Sequence, residues 1–167
     1  MTRWRPPRAP ASPYITAAGY RALEAELKAL WDRRREVVKH LAAAAAEGDR
    51  SENAEYQYRK KELRGLDGRI GYLQRRMPVL QVVAARPPES GRVFFGAELL
   101  LETPAGVVRQ CRIVGSDELD PAQGHISVDS PLARALLGKQ TDDDCSVQVG
   151  DAPPEHYTIL EVNYPEA

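Results

Sequence analysis

The chain has 167 residues, 43% of them hydrophobic, which suits one ordinary domain or two small ones and excludes global disorder. No apolar run approaches the ~20 residues that cross a bilayer, and the arginine-bearing N-terminus lacks the apolar segment of a secretory signal. The net charge of −1 conceals a division: residues 1–83 hold 17 basic and 10 acidic residues, residues 84–167 hold 6 and 14.

A basic half is therefore joined to an acidic one. That asymmetry points to nucleic-acid contact on one side and a different partner on the other. Cys111 and Cys145 have no second pair and no nearby histidine cluster. They read as reduced structural thiols of a cytoplasmic protein rather than a disulfide framework or a zinc site.

Residues 1–13 contain four prolines and three arginines and read as a disordered cationic tail. Residues 14–83 change character. Thr16 is a helix N-cap candidate, and Tyr20, Leu23, Leu27, Leu30, Val37 and Leu41 recur at steps of three and four, with Arg34 in the missing slot. Tyr56, Leu63, Leu66, Ile70, Leu73, Met77 and Leu80 form a second such series, with Arg59 in its missing slot. Glu47-Gly48-Asp49-Arg50-Ser51 supplies turn and cap residues between them.

Folded back on one another, the two seams set Leu41 opposite Tyr56, Arg34 opposite Leu63, Leu27 opposite Ile70 and Leu23 opposite Leu73. All these pairs agree on a vertex at Gly48–Asp49. The expectation is a long antiparallel α-helical coiled coil, its first helix roughly 43 Å long, with a polar tip at residues 48–53.

Residues 84–90, with Pro87-Pro88, read as a linker. Residues 91–167 turn strand-like: Ala97–Thr103 and Val107–Val114 flank a Pro104-Ala105-Gly106 hairpin turn, and His125–Val128 is a short strand. Ser130-Pro131 then caps a helix over Leu132–Leu137, and Ser146–Val149 pairs with Tyr157–Asn163. The fold class is α+β: a helical hairpin followed by a small domain with an antiparallel sheet and one short helix.

The chemistry concentrates at the tip. Asp49 and Glu52 are three apart at a helix start, so both face one way with Cβ atoms about 5–6 Å apart. Two hard carboxylates there can share Mg²⁺, which takes only one or two protein carboxylates and fills its other positions with water or phosphate oxygens. The same spacing also makes a capping box, Asp49 capping a backbone N–H and Glu52 reaching back. The motif alone leaves both readings open.

Behind the tip, Arg33, Arg34, Arg35 and Lys39 on the first helix oppose Arg59, Lys60, Lys61 and Arg64 on the second, centred roughly 18 Å from the vertex. This band reads as a track for a phosphodiester backbone, or as a solvated face with ion pairs such as Glu36 with Lys39. Arg34 and Arg59 occupy seam slots, where leucine would cost less, which favours the first reading. Tyr58 is placed for exposure and base stacking; Tyr56 is a seam residue. His40, His125 and His156 do not cluster, and no P-loop, dinucleotide fingerprint or catalytic triad is present.

The run Gly48-Asp49-Arg50-Ser51-Glu52-Asn53-Ala54-Glu55-Tyr56-Gln57-Tyr58-Arg59-Lys60-Lys61-Glu62-Leu63-Arg64 closely resembles the tip and second helix of the bacterial Gre transcript cleavage factors. Arg50-Ser51 and Tyr56-Gln57-Tyr58 look like the B branch of that family rather than the A branch. Gly91–Ala97 and Ile126–Lys139 match as well, and the resemblance runs from about Tyr14 to Tyr164. The tail, Gln140–Asp144 and Gly150–Pro154 depart from the family's pattern.

The resemblance implies a C-terminal domain with an FKBP-like fold that docks on bacterial RNA polymerase, with Asp129, Ser130 and Pro131 as the docking loop. It implies a coiled coil that enters the polymerase's secondary channel. Asp49 and Glu52 then help to hold Mg²⁺ in the polymerase active centre, while Arg59, Lys60, Lys61, Arg64 and Tyr58 meet the extruded RNA 3′ end. The polymerase hydrolyses the backtracked transcript; the factor is no enzyme by itself. A monomer in the cytoplasm, among the DNA-binding transcription machinery and away from membranes, completes the expectation. The alternative is a secondary-channel regulator that modulates or inhibits polymerase without stimulating cleavage.

Overall fold

The computed structural model describes residues 10–46, 54–83 and 91–165. In chain order the elements are β1 (Tyr14–Thr16), α1 (Ala17–Ala46), α2 (Ala54–Arg76), β2 (Gln81–Val83), β3 (Glu98–Glu102), β4 (Val108–Val114), β5 (His125–Ser127), α3 (Pro131–Leu136), β6 (Asp144–Val147) and β7 (Glu155–Asn163). Short 3₁₀ turns lie at Met77–Val79, Ser116–Glu118 and Pro121–Gln123. The chain divides into two compact units, residues 20–80 and the remainder.

The first unit is built on the seams. Leu23 and Val37 of α1 and Ile70 and Leu73 of α2 are buried, as is Met77 just beyond. Tyr20, Leu27, Leu30, Leu41, Tyr56, Leu63 and Leu66 are half-buried, and so are the seam arginines Arg34 and Arg59. The helices run antiparallel: Glu26 pairs with Arg69, and one heptad along each helix Arg33 pairs with Glu62. Apolar residues every 3.5 positions and complementary charges beside them are what such a pair requires. Thr16 caps α1, its Oγ1 accepting the Gly19 amide at 2.9 Å.

The second unit carries a five-stranded sheet in the order β5-β4-β3-β7-β6, antiparallel except for the β4–β5 pair. Alternation sets its faces. Leu99 and Leu101 of β3, Cys111 and Ile113 of β4 and Tyr157 and Ile159 of β7 point into one core with Ala133 and Leu136 of α3. Helix α3 begins where the chain puts Pro at its first position and Ser130 at its cap, whose Oγ accepts the Ala133 amide at 3.2 Å. Gly106, at φ 78°, makes the β3–β4 turn. This is the α+β arrangement expected: helices first, then a largely antiparallel sheet with one short helix.

Three features differ from expectation. Residues 10–19 and 81–83 group with the sheet unit rather than with the hairpin. There β1 pairs in parallel with β2, Tyr14 opposite Gln81 and Thr16 opposite Val83. A parallel pair needs a long crossover, and here the crossover is the whole helical hairpin. The last residues of the tail also hold fixed contacts: Pro13 carbonyl accepts the Gln81 amide at 2.7 Å, and Ser12 binds Asp129. Finally, β6 spans Asp144–Val147 rather than 146–149. Asp144 looks like turn sequence, but its carboxylate accepts the Thr158 hydroxyl of β7 at 2.6 Å, which seats it in the ladder.

Candidate nucleic-acid interface and docking loop

The tip at 48–53, with Asp49 and Glu52, lies outside the described residues, as do the tail at 1–9 and the linker at 84–90. The geometry that can be read is that of the band behind the tip.

The band sorts into two groups. Arg33 binds Glu62 across the hairpin at 2.7 Å and Glu36 at 3.3 Å. Arg34 binds Asp67 at 2.6 Å and lies 5.6 Å from the Trp31 ring centroid, and Arg35 pairs with Asp32. Arg59, only 20% exposed, reaches Glu62 at 3.2 Å and Glu55 at 3.7 Å. Its guanidinium also lies over the Tyr58 ring at 5.7 Å. These four arginines are thus engaged within the hairpin. The expected Glu36–Lys39 pair does not form; Glu36 takes Arg33 instead.

Lys60, Lys61 and Arg64 form the second group, and Lys39 of α1, likewise exposed, makes no ion pair among the described residues either. Among the described residues no carboxylate lies within ion-pair distance of them, and all three are exposed. They lie on consecutive turns of α2 at its tip end. Tyr58, 63% exposed, stands beside them. Charge still available to a phosphate is therefore carried mainly by α2, not evenly by both helices.

The acids answering the arginines explain how charged side chains sit on a seam. Arg33, chiefly through its hydrogen bond, holds the Glu62 carboxyl below the ordinary 4.5, and Arg59 adds to the effect. Arg69 does the same for Glu26 through a bidentate contact at 2.7 and 2.9 Å. Glu62, Asp67 and Glu26 were not singled out by sequence, although each lies beside the seam opposite a basic residue, a signal that register alone contains.

In the second unit, Asp129, Ser130 and Pro131 are contiguous at the start of α3. Ser130 and Pro131 serve the helix start, and Asp129 accepts the Ser12 amide at 2.8 Å on Oδ2 and the Ser12 hydroxyl on Oδ1. Cys111 and Cys145 are free and buried. Burial pushes the Cys111 thiol up to about 11, leaving it protonated and unreactive near neutrality. Among the described residues no helix is long and apolar enough to cross a membrane, and no group of three or more metal-ligating side chains comes together.

The chain thus carries a basic helical hairpin and an acidic α+β unit, and comparison with known proteins identifies its family. One family profile, described as the N-terminal part of a transcription elongation factor, matches residues 13–82. Another, the C-terminal part of GreA/GreB, matches 87–164. The chain belongs to the GreA/GreB family of transcription elongation factors.

It is 50% identical over 166 residues to a transcription elongation factor GreB of Xanthomonas axonopodis pv. citri, covering 98% of each chain. It is 48% identical over 168 residues to the GreB of Pseudomonas aeruginosa, covering 100% of this chain and 99% of that one. Among solved structures, a GreA/GreB factor from Nitrosomonas europaea matches 92% of this chain and 100% of its own, at 18% identity and a TM-score of 0.42. The family assignment rests on the sequence matches.

Proposed function

We propose that the protein works as a GreB-type factor. It docks on bacterial RNA polymerase through Asp129, Ser130 and Pro131 and inserts its helical hairpin into the secondary channel. There it stimulates endonucleolytic cleavage of the nascent transcript in backtracked or arrested complexes, so that elongation resumes. In this reading the protein acts as a cytoplasmic monomer, and polymerase is the enzyme.

The supporting observation is the pairing pattern of the band. A hairpin needing charge only for its own stability would pair all of it, yet Lys60, Lys61 and Arg64 remain exposed and unanswered among the described residues. They suit the phosphates of an RNA 3′ segment, with Tyr58 offering a ring to a base. The two hard carboxylates of Asp49 and Glu52 suit Mg²⁺ as part of a shell whose remaining positions polymerase, water and RNA complete. Their task is to hold the ion and orient the attacking water where the negative charge develops.

The test is incubation of the protein with stalled, backtracked complexes and Mg²⁺. Short 3′ RNA fragments are expected, with Asp49→Ala and Glu52→Ala each abolishing them while polymerase binding persists. Wild-type cleavage by either variant refutes the assignment of the acids. Binding without fragments from the wild-type chain supports a regulator that does not stimulate cleavage.

A further inference from the structure

Asp129 is gripped by a residue 117 positions away in the sequence and within the same compact unit. The Ser12 amide donates to its Oδ2 at 2.8 Å and the Ser12 hydroxyl to its Oδ1, so each carboxylate oxygen has a donor from one residue. Two donors on two oxygens fix the plane of the carboxylate as well as its position. Ser12 and Asp129 are both half-buried.

Each partner is also held from behind. On the Asp129 side the Val128 amide donates to the Val114 carbonyl at 2.8 Å, the Asp129 amide to Ser127 Oγ at 3.1 Å and the Ser130 amide to the Ser127 carbonyl at 2.9 Å. On the Ser12 side the Pro13 carbonyl accepts the Gln81 amide, and β1 begins at the next residue. Farther along β1 the Thr16 amide donates to Glu118 Oε2 at 2.9 Å and the Thr16 hydroxyl to Oε1. That carboxylate packs so closely that a Cβ on Gly19 would stand 2.0 Å from Oε1. The strand thus has its own anchors without Asp129, and α3 has its cap in Ser130. What the Ser12 fork adds is the orientation of the Asp129 carboxylate.

We propose that Ser12 is a positioning residue for docking: it holds the Asp129 carboxylate as a cationic or N–H donor group of polymerase will meet it. This rests on the docking role proposed above for Asp129. A side chain that becomes ordered only on binding weakens affinity by roughly three- to tenfold, and ordering it beforehand removes that cost. Ser12 brings no charge of its own, so its grip orients the carboxylate without cancelling the charge that attracts a cation. Its two donors take two of the roughly four lone-pair positions of a carboxylate.

The experiment measures the affinity of the full chain for RNA polymerase by competition, for Ser12→Ala, Ser12→Thr, Asp129→Ala and the Ser12→Ala/Asp129→Ala double variant. Thermal melts accompany each protein to establish that it is folded. Ser12→Ala is expected to bind about three- to tenfold more weakly, and Ser12→Thr, which keeps both donors, to bind like wild type. Asp129→Ala is expected to lose about tenfold or more. In that background Ser12→Ala should cost nothing further, because a residue acting through Asp129 has nothing left to act on. A merely structural role would weaken binding by the same factor with or without Asp129.

Wild-type binding by Ser12→Ala overturns the proposal. Tighter binding does so too, and makes Ser12 a mask over the carboxylate. A loss that persists undiminished beside Asp129→Ala, or one that Ser12→Thr shares in full, is equally fatal. Wild-type binding by Asp129→Ala removes the docking role of Asp129 and the proposal with it. A weakened Asp129→Ala beside an unaffected Ser12→Ala removes the proposal alone.

Discussion

Glu62 of α2 binds Arg33 of α1 across the hairpin at 2.7 Å and Arg59 on its own helix at 3.2 Å, so one carboxylate serves two arginines of the basic band. With Glu26 and Arg69 a heptad away, it pins the antiparallel register where the seam has lost leucines to Arg34 and Arg59.

The pH dependence follows from those carboxyls. Both Glu62 and Glu26 are held below 4.5 by their arginine partners. A carboxyl whose folded value is depressed contributes stability that is present above its unfolded value and lost as pH falls through the folded one. The hairpin should therefore melt at progressively lower temperature below about pH 4.5. Circular dichroism at 222 nm should show a shallower acid slope for Glu62→Gln and Glu26→Gln, and an equal slope in all three proteins would discount the pairs.

The sorted band separates two kinds of basic residue. Replacing Lys60, Lys61 and Arg64 together by alanine should weaken binding of single-stranded RNA. It should also reduce the slope of log K against log salt by about 2, at roughly 0.7 per phosphate contact. Arg59→Ala should instead lower the melting temperature of the hairpin and change RNA binding less, because its charge is already engaged by Glu55 and Glu62. Filter binding across a salt series, beside thermal melts, distinguishes the two.

At the start of α3, a helix-capping role and the proposed docking role fall on one residue, Ser130. Ser130→Ala should destabilise the sheet unit by about 1 kcal/mol through loss of the α3 cap, a shift of several degrees in Tm. Ser130→Asp preserves a cap. If Ser130 also contacts polymerase, the aspartate variant should melt like wild type yet bind polymerase more weakly in a competition assay. Wild-type affinity would restrict Ser130 to the helix.

Helix α2 carries removable weakness. A Cβ added at Gly65 or Gly68 meets nothing within 4 Å. Alanine at either position should stabilise the hairpin by roughly 0.5–1 kcal/mol. Chemical denaturation of the single and double variants measures this, and no gain would mean that the helix relies on those glycines.

Much of the hairpin was legible because its information is local and periodic. Leu23, Val37, Ile70, Leu73 and Met77 are buried where steps of three and four placed them, and the β3–β4 hairpin and the Ser130 cap announce themselves within a few residues. Relationships across long separations were not. β1 and β2 are three-residue strands with no alternation long enough to register, and they find each other only once the hairpin is closed. Glu118 reaches Thr16 across 102 positions, so nothing near either residue marks the contact. Gly19 inside a helix was the one available hint. The partners of the band's arginines were hidden differently: Glu62 and Asp67 read as ordinary solvent charges until register puts them opposite Arg33 and Arg34.

The parallel pairing of Tyr14–Thr16 with Gln81–Val83 makes the hairpin a detour between two neighbouring points on the sheet unit. A detour can be shortened or extended without rerouting the chain. Removing one heptad from each helix would withdraw the far end by about 10 Å and rotate the seam by only ~20°. Reach is thus a dimension that insertions and deletions can tune by the turn while the sheet unit stays as it is. Helical arms of different length are open to this architecture through changes in α1 and α2 alone.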